Sequence, residues 1–163
     1  MGSYLVLTVL YRAYLHFFRS DLYPPDPVTY VVAQSSEALL QFFGYTARVI
    51  PSTTVAAMDL YLEGKYLAII IEGCNALSII VLFSAFVLAF WNGWKSTLVF
   101  IGLGALAIFV VNIGRIALLS VALYRYPDHT EFLHGTLFPA IIYGFVFLLW
   151  VYWVRRFTKN ESP

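Results

Sequence analysis

Three residues able to do chemistry together stand at the margins of three separate apolar runs. Cys74 lies in "IIIEGCNALSIIVLF", Arg115 in "VVNIGRIALLSVAL" and His134 in "FLHGTLFPAII". These types support acyl transfer through a thiol. A thiolate attacks a carbonyl, an imidazole acts first as base and then as acid towards the leaving amine, and a guanidinium donates hydrogen bonds to the oxyanion. Cys74 is the only cysteine in the chain, so no disulfide within the chain claims it. It falls where a turn-like "EG" meets a helical run, and a helix dipole there would favour negative charge on its sulfur. Asn112, three residues before Arg115, shares its helix face. Glu72 and Glu131 are candidates to orient the imidazole, and His129 is the rival base. Each also has a plainer role: packing for the cysteine, snorkelling for the arginine, an interfacial position for the histidine.

Apolar elements must position them. Of 163 residues, 61% are hydrophobic and 12% charged, with mean hydropathy +0.78. A water-soluble domain of this size cannot hide that much apolar surface, so lipid is part of the solvent. The formal net charge of +1 and the lack of a basic cluster exclude nucleic-acid binding as an expectation. The single cysteine and three histidines show no ligand spacing, so neither a metal nor another cofactor is expected. No cleavable signal peptide is read at the N-terminus, which lacks a basic region and a small-residue cleavage site. The expected fold is an all-α integral membrane protein forming a single polytopic domain over 1–163. It has about four transmembrane helices, at about 3–18, 75–91, 96–123 and 133–154, and an extracytoplasmic segment at about 19–73.

Within that segment, prolines 24, 25 and 27 break any helix. Asp26-Pro27 then reads as a cap and first helical residue, opening an outer amphipathic helix that Gly44 stops. Beyond Pro51, Glu63-Gly64-Lys65 marks a short β-hairpin, with a helix running from Tyr66 into the second span as the competing reading. Lys95 in one loop and Arg155, Arg156 and Lys159 after the last span mark the cytoplasmic side. The mixed loop before His134 and the region before Cys74 then lie outside. Arg115 stands some 19 residues into its span, or ~28 Å along it, and His134 opens the next. Cys74, Arg115 and His134 therefore reach the same outer level. An arginine in such a run marks a functional site unless it reaches the membrane surface.

The segments "EGCNALSI", "NIGRIALL" and "HGTLFPAIIYG" resemble, in order and spacing, three motifs of the exosortase/archaeosortase family. The amphipathic segment ending "LLQFFGY" and the hairpin before the cysteine match the family layout. The short length and the "EGCN" variant resemble the compact exosortase branch of Bacteroidetes. The resemblance implies a membrane cysteine transpeptidase with Cys74, Arg115 and His134 as catalytic residues. Its partners would be the lipid bilayer and membrane-anchored protein substrates carrying a C-terminal sorting signal: a short motif, a transmembrane helix and a basic cluster. The site would face the periplasm from the bacterial inner membrane and pass its product to an acceptor that the resemblance does not name. Many members carry Ser-Gly and then an arginine after the cysteine, where this chain has Asn75-Ala76-Leu77-Ser78; that departure implies a recognised motif other than the Pro-Glu-Pro type. Two alternatives stay open: a membrane cysteine protease with water as acceptor, and a non-catalytic assembly or transport subunit.

Overall fold

A computed structural model describes residues 6, 8, 9, 11–13 and 25–160. Helix α1 (Pro27–Phe42) starts where the sequence caps it: the Asp26 carboxylate accepts from the Val28 and Thr29 amides, and Pro27 takes the first helical position. It stops after Phe43, where Gly44 adopts φ +84° and donates its N–H to the Gln41 carbonyl. Its buried residues Thr29, Val32, Ala33, Ser36 and Leu40 recur at helical spacing along one face. That face packs on the sheet and on helix α3, described below.

Strands β1 (Ala47–Pro51), β2 (Met58–Leu62) and β3 (Lys65–Ile70) follow. They form an antiparallel meander in the order β1-β2-β3. Met58, Leu60 and Leu62 alternate onto the buried face. The turn residues Glu63 and Gly64 both have positive φ, 51° and 75°, as a two-residue primed hairpin turn demands. The hairpin is therefore present and the competing helix from Tyr66 is not. β1 corrects the all-α expectation and enlarges the hairpin to three strands. Its five residues end in proline, which an edge strand tolerates, and its pairing partner lies beyond a loop. Such a strand leaves almost no local signal.

After a 3₁₀ turn at Glu72–Cys74 come α2 (Leu77–Ala89), α3 (Trp94–Arg125) and α4 (Phe138–Asn160). Between α3 and α4 the chain makes a 3₁₀ turn (Pro127–His129), one α-turn (Thr130–Phe132) and a π-helical turn (Leu133–Leu137). Among the described residues, Trp94–Arg125 and Leu133–Arg156 are long and apolar enough to cross a membrane, with mean hydropathies of 2.3 and 2.0. Only 22% of each apolar window is buried, unlike the core helix of a soluble protein. Leu98, Val99, Leu103, Leu106, Val110 and Leu118 all point outward from α3, a surface suited to lipid.

The second expected span, 75–91, is shorter than anticipated. α2 has 13 residues, ~20 Å of helix against a hydrocarbon core of about 30 Å. Ala76, with φ 59°, and Gly93, with φ 76°, bracket the segment. The described part of the first expected span, Val6, Thr8, Val9 and Tyr11–Ala13, is helical; the rest lies outside the described residues.

Two cores hold the elements together. One joins α1 and the sheet to Ile116 and Ala117 of α3. The other joins α2, α3 and α4 through Phe83, Val87, Ile108, Ile142, Val146 and Trp153, and the Trp153 indole N–H donates to the Phe90 carbonyl at 3.0 Å. Gly104 permits the closest approach, because a Cβ there would overlap the Phe83 ring. Gly104→Ala should therefore push α2 from α3 and cost about 1–3 kcal/mol. Thermal unfolding in detergent checks this, and Gly102→Ala, where a Cβ meets open space, should be nearly silent.

Candidate active site

Cys74 ends the 3₁₀ turn, and α2 begins only at Leu77. It therefore does not cap α2 itself, as the sequence suggested. Its loop is held by side chains from two other elements. From α3, the Asn112 Nδ2 donates to the Cys74 carbonyl at 2.8 Å; Asn112 is 1% exposed. From α1, the tie runs through Asn75, also 1% exposed. The Asn75 Nδ2 donates to Thr29 Oγ1 at 3.1 Å and, at 3.5 Å, to Asp26 Oδ1. Its Oδ1 accepts the Leu77 amide at 2.9 Å, one of the orphan donors of the start of α2. The Thr29 hydroxyl in turn donates to Asp26 Oδ2. The buried Asp26 carboxylate thus caps α1 and anchors the loop that carries Cys74. Between these ties, Ala76 is held in the left-handed region at φ 59°, a costly conformation for a residue with a Cβ.

Arg115 lies one turn beyond Asn112 on α3, so the residue that holds the loop and the residue that faces it share one helix face. His134 sits in the π-helical turn, where the Phe138 N–H reaches back five residues to the Leu133 carbonyl. Such turns shift a side chain off the regular helical path and recur at functional sites. The result is a small pocket of about 30 Å³ whose wall contains Cys74, Arg115 and His134. Leu60, Ala68, Ile69 and Ile70 of the sheet and Ile116, Leu119 and Ser120 of α3 complete it. The volume is about that of one water molecule in the liquid. The Arg115 Nε is buried and, among the described residues, has no hydrogen-bond partner. A buried donor left unpaired costs roughly 1–3 kcal/mol.

The remaining sequence candidates divide. Asn112 reaches the loop as just described. Glu72 and Glu131 are exposed and line no part of this pocket. His129 lies instead on a separate apolar groove with Leu118, Phe132 and Ile141. Nothing local in the sequence marks Asn75, Thr29 or Asp26 as site residues. Asp26 announced itself only as a helix cap, and the partners of Asn75 are 46 and 49 positions away. Among the described residues, no cluster of His, Cys, Asp and Glu is arranged to hold a metal.

The family model described as transmembrane exosortase (Exosortase_EpsH) matches residues 4–156. The chain belongs to that family, and it is a membrane protein. No curated protein and no solved structure gives a significant match.

The loop tie makes a quantitative prediction. Thr29→Val keeps the volume of a fully buried side chain and removes only the hydroxyl. It should destabilise the protein by about 1–3 kcal/mol, as should Asn75→Ala. The double variant should be little worse than the worse single variant, because both break one chain of bonds. Full additivity in thermal unfolding would mean that the two residues act independently.

Proposed function

We propose that the protein is an exosortase-type cysteine transpeptidase that cleaves a C-terminal sorting signal from exported proteins and transfers them to an acceptor. The observation that supports this most is the pocket shared by Cys74, Arg115 and His134, together with a buried Arg115 Nε that has no hydrogen-bond partner among the described residues. The alternative of a purely structural Arg115 holding helices together would give that N–H a partner, and among the described residues it has none.

In the proposed reaction the Cys74 sulfur, its proton passed to His134, attacks the scissile carbonyl. Arg115 donates to the resulting oxyanion. The C–N bond then breaks, and the leaving amine takes the proton from His134. This leaves a thioester on Cys74. The acceptor's nucleophile, losing its proton to His134, attacks the thioester. The acyl group passes to the acceptor and the thiol is restored. With water as acceptor the same steps amount to proteolysis.

The proposed arrangement has four spans in the bacterial inner membrane: an N-terminal helix, α2, α3 and α4. Lys95, Arg155 and Arg156 would face the cytoplasm. α3 has 32 residues, ~48 Å, which exceeds the hydrocarbon thickness. Its outer third would therefore stand clear of the hydrocarbon, where it carries the sheet. Arg115, 21 positions after Trp94, falls ~31 Å along it, at the outer, periplasmic boundary. The "EGCN" variant around the cysteine supports the compact Bacteroidetes-type branch.

In cells lacking the wild-type protein, Cys74→Ala should restore no processing of exported precursors that end in an apolar helix and a basic cluster, read as their molecular mass. Arg115→Lys keeps the charge but not the guanidinium fork. It should insert normally and slow processing about 100- to 1,000-fold, while Cys74 still reacts with iodoacetamide. An Arg115→Lys protein within a few-fold of wild type assigns that residue a structural role.

A further inference from the structure

The two edges of the sheet are treated differently. An open edge strand presents unpaired backbone N–H and C=O groups, and proteins usually blunt it. β1 is blunted by α1: the Val49 amide donates to Glu37 Oε2 at 3.0 Å, and the Ala47 carbonyl accepts from Gln41 Nε2 at 3.0 Å. β3 occupies the opposite edge. Among the described residues, no side chain or backbone group outside the sheet hydrogen-bonds to the backbone of Lys65–Ile70. This open edge is also the one beside the pocket. Ala68, Ile69 and Ile70 form its wall together with Cys74, Arg115 and His134, and the chain runs from Ile70 through one 3₁₀ turn into Cys74.

We infer that the free edge of β3 binds the substrate's signal segment as an added strand and delivers its scissile carbonyl to Cys74. This rests on the transpeptidase reading and specifies how the substrate is held. An added strand lies about 4.8 Å from its neighbour, so a peptide paired along Ala68–Ile70 runs beside the nucleophile loop without any preformed cleft. Backbone pairing supplies affinity, and alternate side chains of the peptide supply selectivity. That explains how a pocket of about 30 Å³ serves a polypeptide: only the reacting carbonyl needs to enter it. The direction follows as well. The Lys65 ammonium sits over the Tyr124 ring near the outer end of α3, 5.5 Å from its centroid, whereas Ile70 lies beside Arg115 and Ile116. β3 thus descends towards the site. A substrate whose following helix enters the bilayer descends the same way and pairs parallel to β3.

The test uses the full chain carrying Cys74→Ala in cells lacking the wild-type protein; the probe is the set of precursors that accumulate there. A benzophenone amino acid replaces Tyr66 or Ile69 on β3, or Arg48 or Ile50 on β1. Irradiation should join precursors to the β3 positions at least ten-fold more than to the β1 positions. Position 66 should mark precursor residues further N-terminal than position 69 does. With Cys74 present, Leu67→Pro, Ala68→Pro and Ile69→Pro each remove one N–H. A variant among them that keeps its unfolding midpoint and its Cys74 alkylation by iodoacetamide should process precursors at least ten-fold more slowly. Equal adducts on both edges, or none on β3, overturn the strand pairing, as does wild-type processing by all folded proline variants. If precursors do not accumulate in Cys74→Ala cells at all, the transpeptidase reading itself falls.

Discussion

The hydrogen bond from Asn112 to the Cys74 carbonyl, 2.8 Å long, is the interaction on which the site depends. It ties an irregular loop to the one element stiff and long enough to set depth, the 32-residue α3. One turn later the same helix supplies Arg115, so loop and guanidinium are referenced to a single rigid scale. Catalytic groups need positioning to a fraction of an ångström, and loops seldom achieve it alone. Here the loop is held from the other side as well, through Asn75 to Thr29 and Asp26. Burying these polar groups is tolerable because each finds a partner; among the described residues, the Arg115 Nε and the Trp150 Nε1 are buried without one.

The sheet and α1 serve this arrangement rather than forming a separate unit. They pack through Ile116 and Ala117 against the C-terminal part of α3, directly after Arg115. The core that stabilises the sheet layer therefore also closes one side of the pocket. α2, α3 and α4 pack through a second core, where a glycine lets a phenylalanine ring approach the α3 backbone. The π-helical turn then brings His134 to the level of the other two residues.

What was legible in the sequence was local or periodic. Asp26-Pro27 and Gly44 marked both ends of α1, Glu63-Gly64 marked the hairpin, and a long apolar run marked α3. Counting residues along the helices was enough to bring Cys74, Arg115 and His134 to one level, because helix rise is a constant. The missed features are set by partners distant in sequence. β1 exists because β2 pairs with it and α1 covers its edge. Asn75 looks like a turn residue until Thr29 is folded against it. Glu72, two residues before the cysteine, is exposed and lines no part of the pocket, because a 3₁₀ turn does not send residues two apart to one side. α2 is shorter than the apolar run because Ala76 is left-handed at its start and Phe90 leaves helical geometry while Phe90 and Trp91 are still apolar.

The central claim is that Cys74 forms a covalent bond to substrate in the pocket it shares with Arg115 and His134. Intact-mass measurement of the purified protein after exposure to precursor membranes tests this most directly. The account predicts an acyl adduct on Cys74 that neutral hydroxylamine releases, as it does a thioester, and that is absent from Cys74→Ala. Precursor cleaved at the wild-type rate by Cys74→Ala, with no adduct on the wild-type thiol, would contradict it.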